Sequence, residues 1–102
     1  MTKRSYPAVR SKRIPTHPGE LMREILDDHV KLPIAEASRR MKVSRAALYA
    51  VLDGRSAVTA EMAVRFAKLV GVDAGLYVQM QAGRDLWLAE QKLAKETIRP
   101  AA

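Results

Sequence analysis

The stretch PIAEASRRMKVSRAALYAVLDGR, residues 33–55, constrains the fold more than any other part of the chain. It predicts two short helices joined by a tight turn. In the first helix Ala37 and Met41 lie four residues apart, and therefore share a face. Leu48 and Leu52 do the same in the second, within an apolar stripe. Because each stripe is narrow, we expect the two helices to pack against one another and against a third helix, as in a helix-turn-helix.

The outward face of the second helix carries small and polar side chains, with cations on either side. Ser44 is placed to cap this helix through its hydroxyl. The candidate base-reading residues are Ser44, Arg45, Ala46, Tyr49 and Ala50. The candidate phosphate-binding residues are Arg39, Arg40, Lys42, Arg55 and Ser56. In the loop at Arg55 and Ser56, a cation and backbone amides would hold the phosphate. A slim helix of this kind fits the DNA major groove, so residues 33–55 predict a DNA-binding helix-turn-helix.

Length and composition point to one small all-α domain. The chain has 102 residues, which suffice for one modest core. Hydrophobic residues make up 48% and aromatic residues only 5%, and no alternating apolar pattern is long enough for a sheet. We expect a flexible basic tail over residues 1–15, the DNA-binding domain over residues 16–96, and a frayed C-terminus over residues 97–102.

The net charge of +7 is unevenly distributed. Residues 1–13 contribute +5 and residues 33–56 contribute +3, whereas residues 14–32 sum to −2. The two positive regions are therefore the tail and the predicted DNA-binding element, as expected for a protein that binds a polyanion. For the tail two interpretations stay open: it reaches along the DNA, as some N-terminal arms do, or it only aids solubility.

A helix is predicted to precede the helix-turn-helix. Thr16 can cap it, and Pro18 suits its first turn because the missing N–H is not needed there. One face is apolar, and the other carries four carboxylates: Glu20, Glu24, Asp27 and Asp28. No nucleophile, cofactor loop or metal-ligand set accompanies them, so we interpret them as a solvated face and not as acid–base catalysts.

Two more helices are predicted after Gly54. Thr59 and Asp73 can cap them. The fifth helix is long, with Leu76 on its apolar stripe and Gly83 at a bend or a tight contact. Beyond the expected core it carries a second apolar seam, which is the candidate homodimer interface: Leu86, Ala89 and Leu93.

The sequence contains no pattern for a disulfide, a metal site, a phosphate-binding loop or a membrane span. There is no cysteine, which excludes disulfides and thiolate metal sites and suits a reducing cytoplasm. His17 and His29 lack metal-ligand spacing, and the glycines form no phosphate loop. No apolar run approaches the roughly 20 residues of a membrane span. We therefore expect no enzyme, no metal, no cofactor and no membrane association.

Four segments resemble the HigA family of antitoxins, within the Xre and lambda-Cro class: HPGELMREIL (17–26), LPIAEASRRMKVSRAALYAVLDGR (32–55), VTAEMAVRFAKLVGV (58–72) and VQMQAGRDLW (78–87). Together they span about residues 16–90. The most specific parts are the HPGE opening and Gln81 with Asp85-Leu86-Trp87. Ser38 and Lys42 depart from the family, which has alanine and glycine there. A glycine at the turn often has a positive φ, so Lys42 either relaxes the turn or tolerates strain and adds a phosphate contact.

The resemblance implies a five-helix, lambda-repressor-like fold with an extended C-terminal helix. It further implies a type II antitoxin that neutralises a co-encoded HigB toxin, a RelE-like mRNA endonuclease, and represses its own operon as a dimer. Such toxins are basic, so the acidic face of the first helix is the expected toxin contact. Two alternatives stay open: a stand-alone dimeric repressor of the Xre and Cro type, and a protein- or RNA-binding adaptor.

Overall fold

The computed structural model describes residues 13–101, so most of the predicted basic tail lies outside the described part of the chain. The described residues form five α-helices and one π-helical turn, with no strand. The elements are α1 (Pro18–Glu24), the π turn (Ile25–His29), α2 (Ile34–Met41), α3 (Arg45–Leu52), α4 (Ala60–Val70) and α5 (Ala74–Lys92). This architecture confirms the predicted all-α fold with a long final helix. Residues 97–101 form neither helix nor strand.

The first helix is capped by His17, and the predicted cap at Thr16 is wrong. The Nδ1 atom of His17 accepts a hydrogen bond from the Gly19 amide at 2.8 Å. Its Nε2–H therefore points the other way and donates to the Ser56 carbonyl at 3.0 Å, in the loop after α3. The imidazole is only 5% exposed. A threonine hydroxyl can cap a helix, but the longer ring caps it and also binds a second element.

The backbones of α1 and α3 meet at Gly19. A Cβ atom at this position would lie 2.0 Å from the carbonyl oxygen of Val51, near the end of α3. No side chain fits at that distance, because carbon and oxygen need more than 3 Å. Glycine is therefore required here for the close approach of two helices.

The core lies between the five helices. Its fully or nearly buried members are Met22, Leu26, Ala37, Met41, Leu48, Val51, Leu52, Val58, Ala63, Phe66 and Tyr77. The apolar stripes of α2 and α3 are thus buried as predicted. In α5 the inward residue is Tyr77, whose ring packs edge-on against Phe66 with centroids 5.4 Å apart. The expectation for Leu76 is wrong, since its side chain is 41% exposed.

Gln81 joins α5 to the loop before α4. Its side-chain oxygen accepts from the Val58 amide at 2.8 Å, and its amide nitrogen donates to Asp85 at 2.9 Å. Arg84, one turn further on, donates to the Pro15 carbonyl at 2.8 Å. The expected tight contact at Gly83 is not found, because no atom lies within 4 Å of a Cβ placed there.

The buried hydroxyl of Tyr77 has no hydrogen-bond partner among residues 13–101, and burial raises its pKa. An unpartnered buried polar group destabilises a fold by about 1–3 kcal/mol. We therefore expect Tyr77→Phe to keep or raise the free energy of unfolding, by up to about 1 kcal/mol. Urea denaturation measures this, with the half-exposed Tyr49→Phe as the matched control. A clear loss of stability in Tyr77→Phe alone would show that the hydroxyl is bonded in solution.

Candidate nucleic-acid interface

The recognition helix α3 is held at its start by a side-chain cap, as predicted. The Ser44 hydroxyl accepts from the Ala47 amide at 3.0 Å. Leu48, Val51 and Leu52 point into the core and fix the rotation of the helix. The opposite face carries the predicted base-reading residues: Ser44, Arg45, Ala46 and Tyr49 are exposed and Ala50 is half-buried. The fold thus presents one narrow polar face, beginning at the first turn of α3.

The turn before α3 keeps the left-handed conformation in spite of its lysine. Lys42 has φ 62° and ψ 43°, and its amide donates to the Arg39 carbonyl at 3.2 Å. Such a conformation costs a non-glycine residue on the order of 1 kcal/mol. Ser38, which stands where the family has alanine, is buried at 3% exposure. Its hydroxyl donates back to the Ala35 carbonyl at 2.9 Å.

Arg39 and Arg40 share one carboxylate on α2. Arg40 Nε lies 2.9 Å from Glu36 Oε2, and Arg39 Nε lies 3.1 Å from Oε1. Hydrogen bonds from Arg39, and then from Arg40, hold the pKa of Glu36 below its usual value. Glu36 therefore stays ionised, and the trio carries one net positive charge. Both guanidinium groups are largely exposed, so each still has N–H groups directed at solvent.

Arg55 is paired with Asp53, the residue that follows α3. The Arg55 guanidinium lies 3.2 Å from Asp53 Oδ2, and Arg23 of α1 lies 3.3 Å from Oδ1. The backbone amides of Arg55 and Ser56 both donate to the Ala50 carbonyl, at 2.8 and 3.0 Å. The expectation that these amides hold a phosphate is therefore wrong. What this loop offers is the Arg55 guanidinium and the exposed Ser56 side chain.

Two contacts from α1 to this loop were not predicted. His17 binds the Ser56 carbonyl, and Arg23 binds Asp53. The partners are 39 and 30 residues apart, so no helical spacing links them. The nearest signal in the sequence is the HPGE opening, which marks His17 without showing its partner. Both contacts place α1 directly against the loop that carries Arg55.

The two other predicted surfaces are on elements other than α3. The four carboxylates are exposed: Glu20 and Glu24 on α1, Asp27 and Asp28 on the π turn. None of the four side chains makes a hydrogen bond or ion pair with another residue of 13–101. The seam residues are also exposed, with Leu86 at 54% and Leu93 at 49%. Ala89 lies between them on α5.

No group of three histidines, aspartates or glutamates within 13–101 is arranged to hold a metal ion. Arg65 binds the Glu61 carboxylate at 2.9 Å and also donates to the Met41 carbonyl at 2.8 Å. None of the helices described is long and apolar enough to cross a membrane.

The chain is similar to several solved structures, although no protein-family model matches it. A putative antidote protein of a plasmid maintenance system from Nostoc punctiforme is 33% identical, with 80% of this chain and 89% of that chain covered and a TM-score of 0.73. A HigA-family addiction module antidote protein from Coxiella burnetii is 26% identical over 86% of this chain and 100% of that chain, with a TM-score of 0.73.

A third similar structure is PA4674 from Pseudomonas aeruginosa, solved in complex with its 18-base-pair operator DNA. It is 26% identical, covers 86% of this chain and 97% of that chain, and has a TM-score of 0.73. These proteins are antitoxins and DNA-binding regulators, not enzymes. With the same helix order and an exposed, capped α3, the chain belongs to the HigA family of antitoxins, the Xre-type helix-turn-helix regulators.

Proposed function

We propose that this chain is the antitoxin of a HigBA-like type II module. It represses its own operon as a dimer by inserting α3 into the major groove, and it neutralises a co-encoded HigB toxin, an mRNA endonuclease of the RelE-like class. The observation that carries the proposal is the exposed face of α3, capped by Ser44 and fixed by its buried stripe. The PA4674 complex with operator DNA supports the same use of this fold.

The DNA contact divides into two kinds of residue. Arg45 and Tyr49, four residues apart on the exposed face of α3, are placed to read base edges. Ser44, Ala46 and Ala50 complete that face and keep it slim. The phosphate contacts come from side chains around it: Arg39, Arg40, Lys42, Arg55 and Ser56.

A gel shift with the chain's own promoter fragment, compared with a scrambled fragment, tests whether the chain binds DNA sequence-specifically. Equal binding to both would favour an adaptor without DNA specificity.

The dimer is built through the exposed seam on α5. A two-fold dimer with recognition helices about 34 Å apart spans one DNA turn and requires a palindromic operator. We expect Leu86→Glu with Leu93→Glu to give a folded monomer with weak operator affinity, because two carboxylates oppose burial of the seam. Size-exclusion chromatography with light scattering measures the mass. Leu88→Glu is the control, since Leu88 is also exposed on α5 but lies on the other side of the helix. If the double variant stays dimeric, the dimer interface does not include this seam.

The toxin contact is the acidic face formed by Glu20, Glu24, Asp27 and Asp28. Toxins that grip ribosomal RNA are basic, and these carboxylates are exposed without an ionic partner among residues 13–101. The face lies on α1 and the π turn, not on α3, so toxin and operator can bind together.

Pull-down of the product of the neighbouring gene tests the antitoxin role. Wild-type protein is expected to capture it and to protect cells on co-expression. Reversal of Glu24 and Asp28 to lysine should reduce capture at least about tenfold while sparing operator binding. Glu96→Lys, a reversal beyond α5, is the control. If all variants capture the toxin equally, the acidic face of α1 is not part of the toxin interface. If wild-type protein captures no neighbouring gene product, the stand-alone repressor is the better interpretation.

A further inference from the structure

A basic cavity lies between α4 and the end of α2, next to the turn that precedes the recognition helix α3. Its volume is about 380 Å³. It is lined by Arg40, Met41, Lys42, Arg65, Lys68 and Leu69. Four of these residues are cationic, two are apolar, and none is acidic.

The cavity has an excess of positive charge. Arg40 is paired with Glu36, and Arg65 with Glu61. The side chains of Lys42 and Lys68 make no hydrogen bond or ion pair with another residue of 13–101. Two ammonium groups in one cavity repel each other, so a bound anion would relieve a cost that the free protein carries.

The end of α2 does not cancel this excess. A helix C-terminus normally presents free carbonyl oxygens, which repel anions. Here the Ser38 carbonyl accepts from the Val43 amide at 3.1 Å, and the Arg39 carbonyl from the Lys42 amide at 3.2 Å. The Met41 carbonyl accepts from Arg65 at 2.8 Å. Three of the last four carbonyl oxygens of α2 therefore already accept a hydrogen bond, which weakens their repulsion of an anion.

The backbone conformation of Lys42 suggests that its side chain has a function in ligand binding. Its φ of 62° suits glycine and strains an L-residue with a Cβ. Strained backbone positions are concentrated at functional sites. The left-handed conformation itself ends α2, but a lysine side chain is not needed for that, and the Lys42 side chain is exposed. A glycine at this position would avoid the strain but would not supply the ammonium group of Lys42 to the cavity.

We propose that this cavity binds a phosphate group. Lys42 and Lys68 contact its oxygens as mobile point charges, and the guanidinium groups of Arg40 and Arg65 surround them. Met41 and Leu69 form an apolar wall against which the organic part of a phosphate ester can lie. The phosphate comes from the backbone of operator DNA or from a free phosphorylated compound. The first source rests on the proposed function, because Lys42 precedes the Ser44 cap of α3 by two residues.

The first experiment asks whether the cavity binds phosphate at all. Isotope-labelled protein is titrated with inorganic phosphate and, at equal ionic strength, with chloride. The amide NMR signals of Lys42, Val43, Lys68 and Leu69 are expected to shift saturably with phosphate only. Lys42→Gly with Lys68→Gln should weaken this binding by about tenfold or more, since charged hydrogen bonds are lost. Lys92→Gln with Lys95→Gln removes the same charge elsewhere and should change nothing.

The melting temperature of Lys42→Gly separates a loss of phosphate binding from a loss of stability. Lys42→Gly relieves the left-handed strain, so this variant is expected to melt at a higher temperature than wild type while binding phosphate less well. The higher melting temperature is expected whether or not Lys42 binds an anion, so weaker phosphate binding in a variant that is no less stable identifies Lys42 as a ligand residue. No phosphate-specific shift in the wild type, or equal shifts in the Lys42 and Lys68 double variant, overturns the proposal.

The third measurement identifies the source of the phosphate. The salt dependence of operator binding falls by about 0.9 in slope for each DNA phosphate that a protein no longer neutralises. If a phosphate of operator DNA fills the cavity, the double variant should lose about 1 in slope, with equal weakening on operator and scrambled DNA. An unchanged slope together with binding of inorganic phosphate assigns the cavity to a free phosphate compound. A protein that binds no operator refutes the proposed function, but the NMR titration still decides the cavity.

Discussion

Gly19→Ala is expected to reduce the free energy of unfolding by about 3 kcal/mol or more. The added carbon would lie 2.0 Å from the Val51 carbonyl oxygen and 3.0 Å from His17 Nδ1. The oxygen belongs to the backbone of α3 and cannot rotate away. α1 must therefore move, which strains the His17 contacts with Gly19 and Ser56.

Thermal and urea denaturation, followed by circular dichroism, measure this loss. For a domain of this size, 3 kcal/mol corresponds to a fall in melting temperature of roughly 15 °C. The matched control is Gly83→Ala in α5, where no atom lies within 4 Å of the new carbon. That variant should gain about 0.5–1 kcal/mol from helix propensity. If Gly19→Ala is as stable as wild type, the two helices are further apart in solution than the structure places them.

Arg45→Ala is expected to lower the preference for operator over scrambled DNA by about tenfold or more. A bidentate arginine–guanine contact discriminates by about 1–3 kcal/mol. Arg45 is exposed at the first turn of α3 and has no ionic partner among residues 13–101, so its guanidinium is available to a base. Alanine is a good helix former, so the fold should be unaffected.

Arg55→Ala is the comparison for that experiment, because Arg55 lies in the loop and already binds Asp53. It should weaken both DNAs about equally and lower the salt slope by about 1. Fluorescence anisotropy at fixed salt measures both ratios. If Arg45→Ala leaves the preference unchanged, base reading belongs to other residues of α3, with Tyr49 the first to examine.

Much of the helix-turn-helix follows from interactions that span only a few residues. The caps at Ser44, Thr59 and Asp73 each bond an amide two or three residues ahead, so the sequence shows both partners at once. The apolar spacing of α2 and α3 likewise fixes which faces are buried. At Lys42 the sequence leaves a relaxed and a strained turn open, and the structure has the strained, left-handed one. Whether the exposed face of α3 reads bases stays a prediction.

The sequence by itself determined the helices, the caps of α3, α4 and α5, and the narrow polar face of α3, because these depend on local hydrogen bonds and on helical periodicity. Tertiary structure alone decided that His17 and not Thr16 caps α1, and that Tyr77 and not Leu76 faces the core. It also decided that Asp53 joins Arg23 to Arg55. These outcomes depend on how closely the helices approach and at what rotation, and partners such as Arg84 and Pro15, 69 residues apart, meet only once the helices have packed.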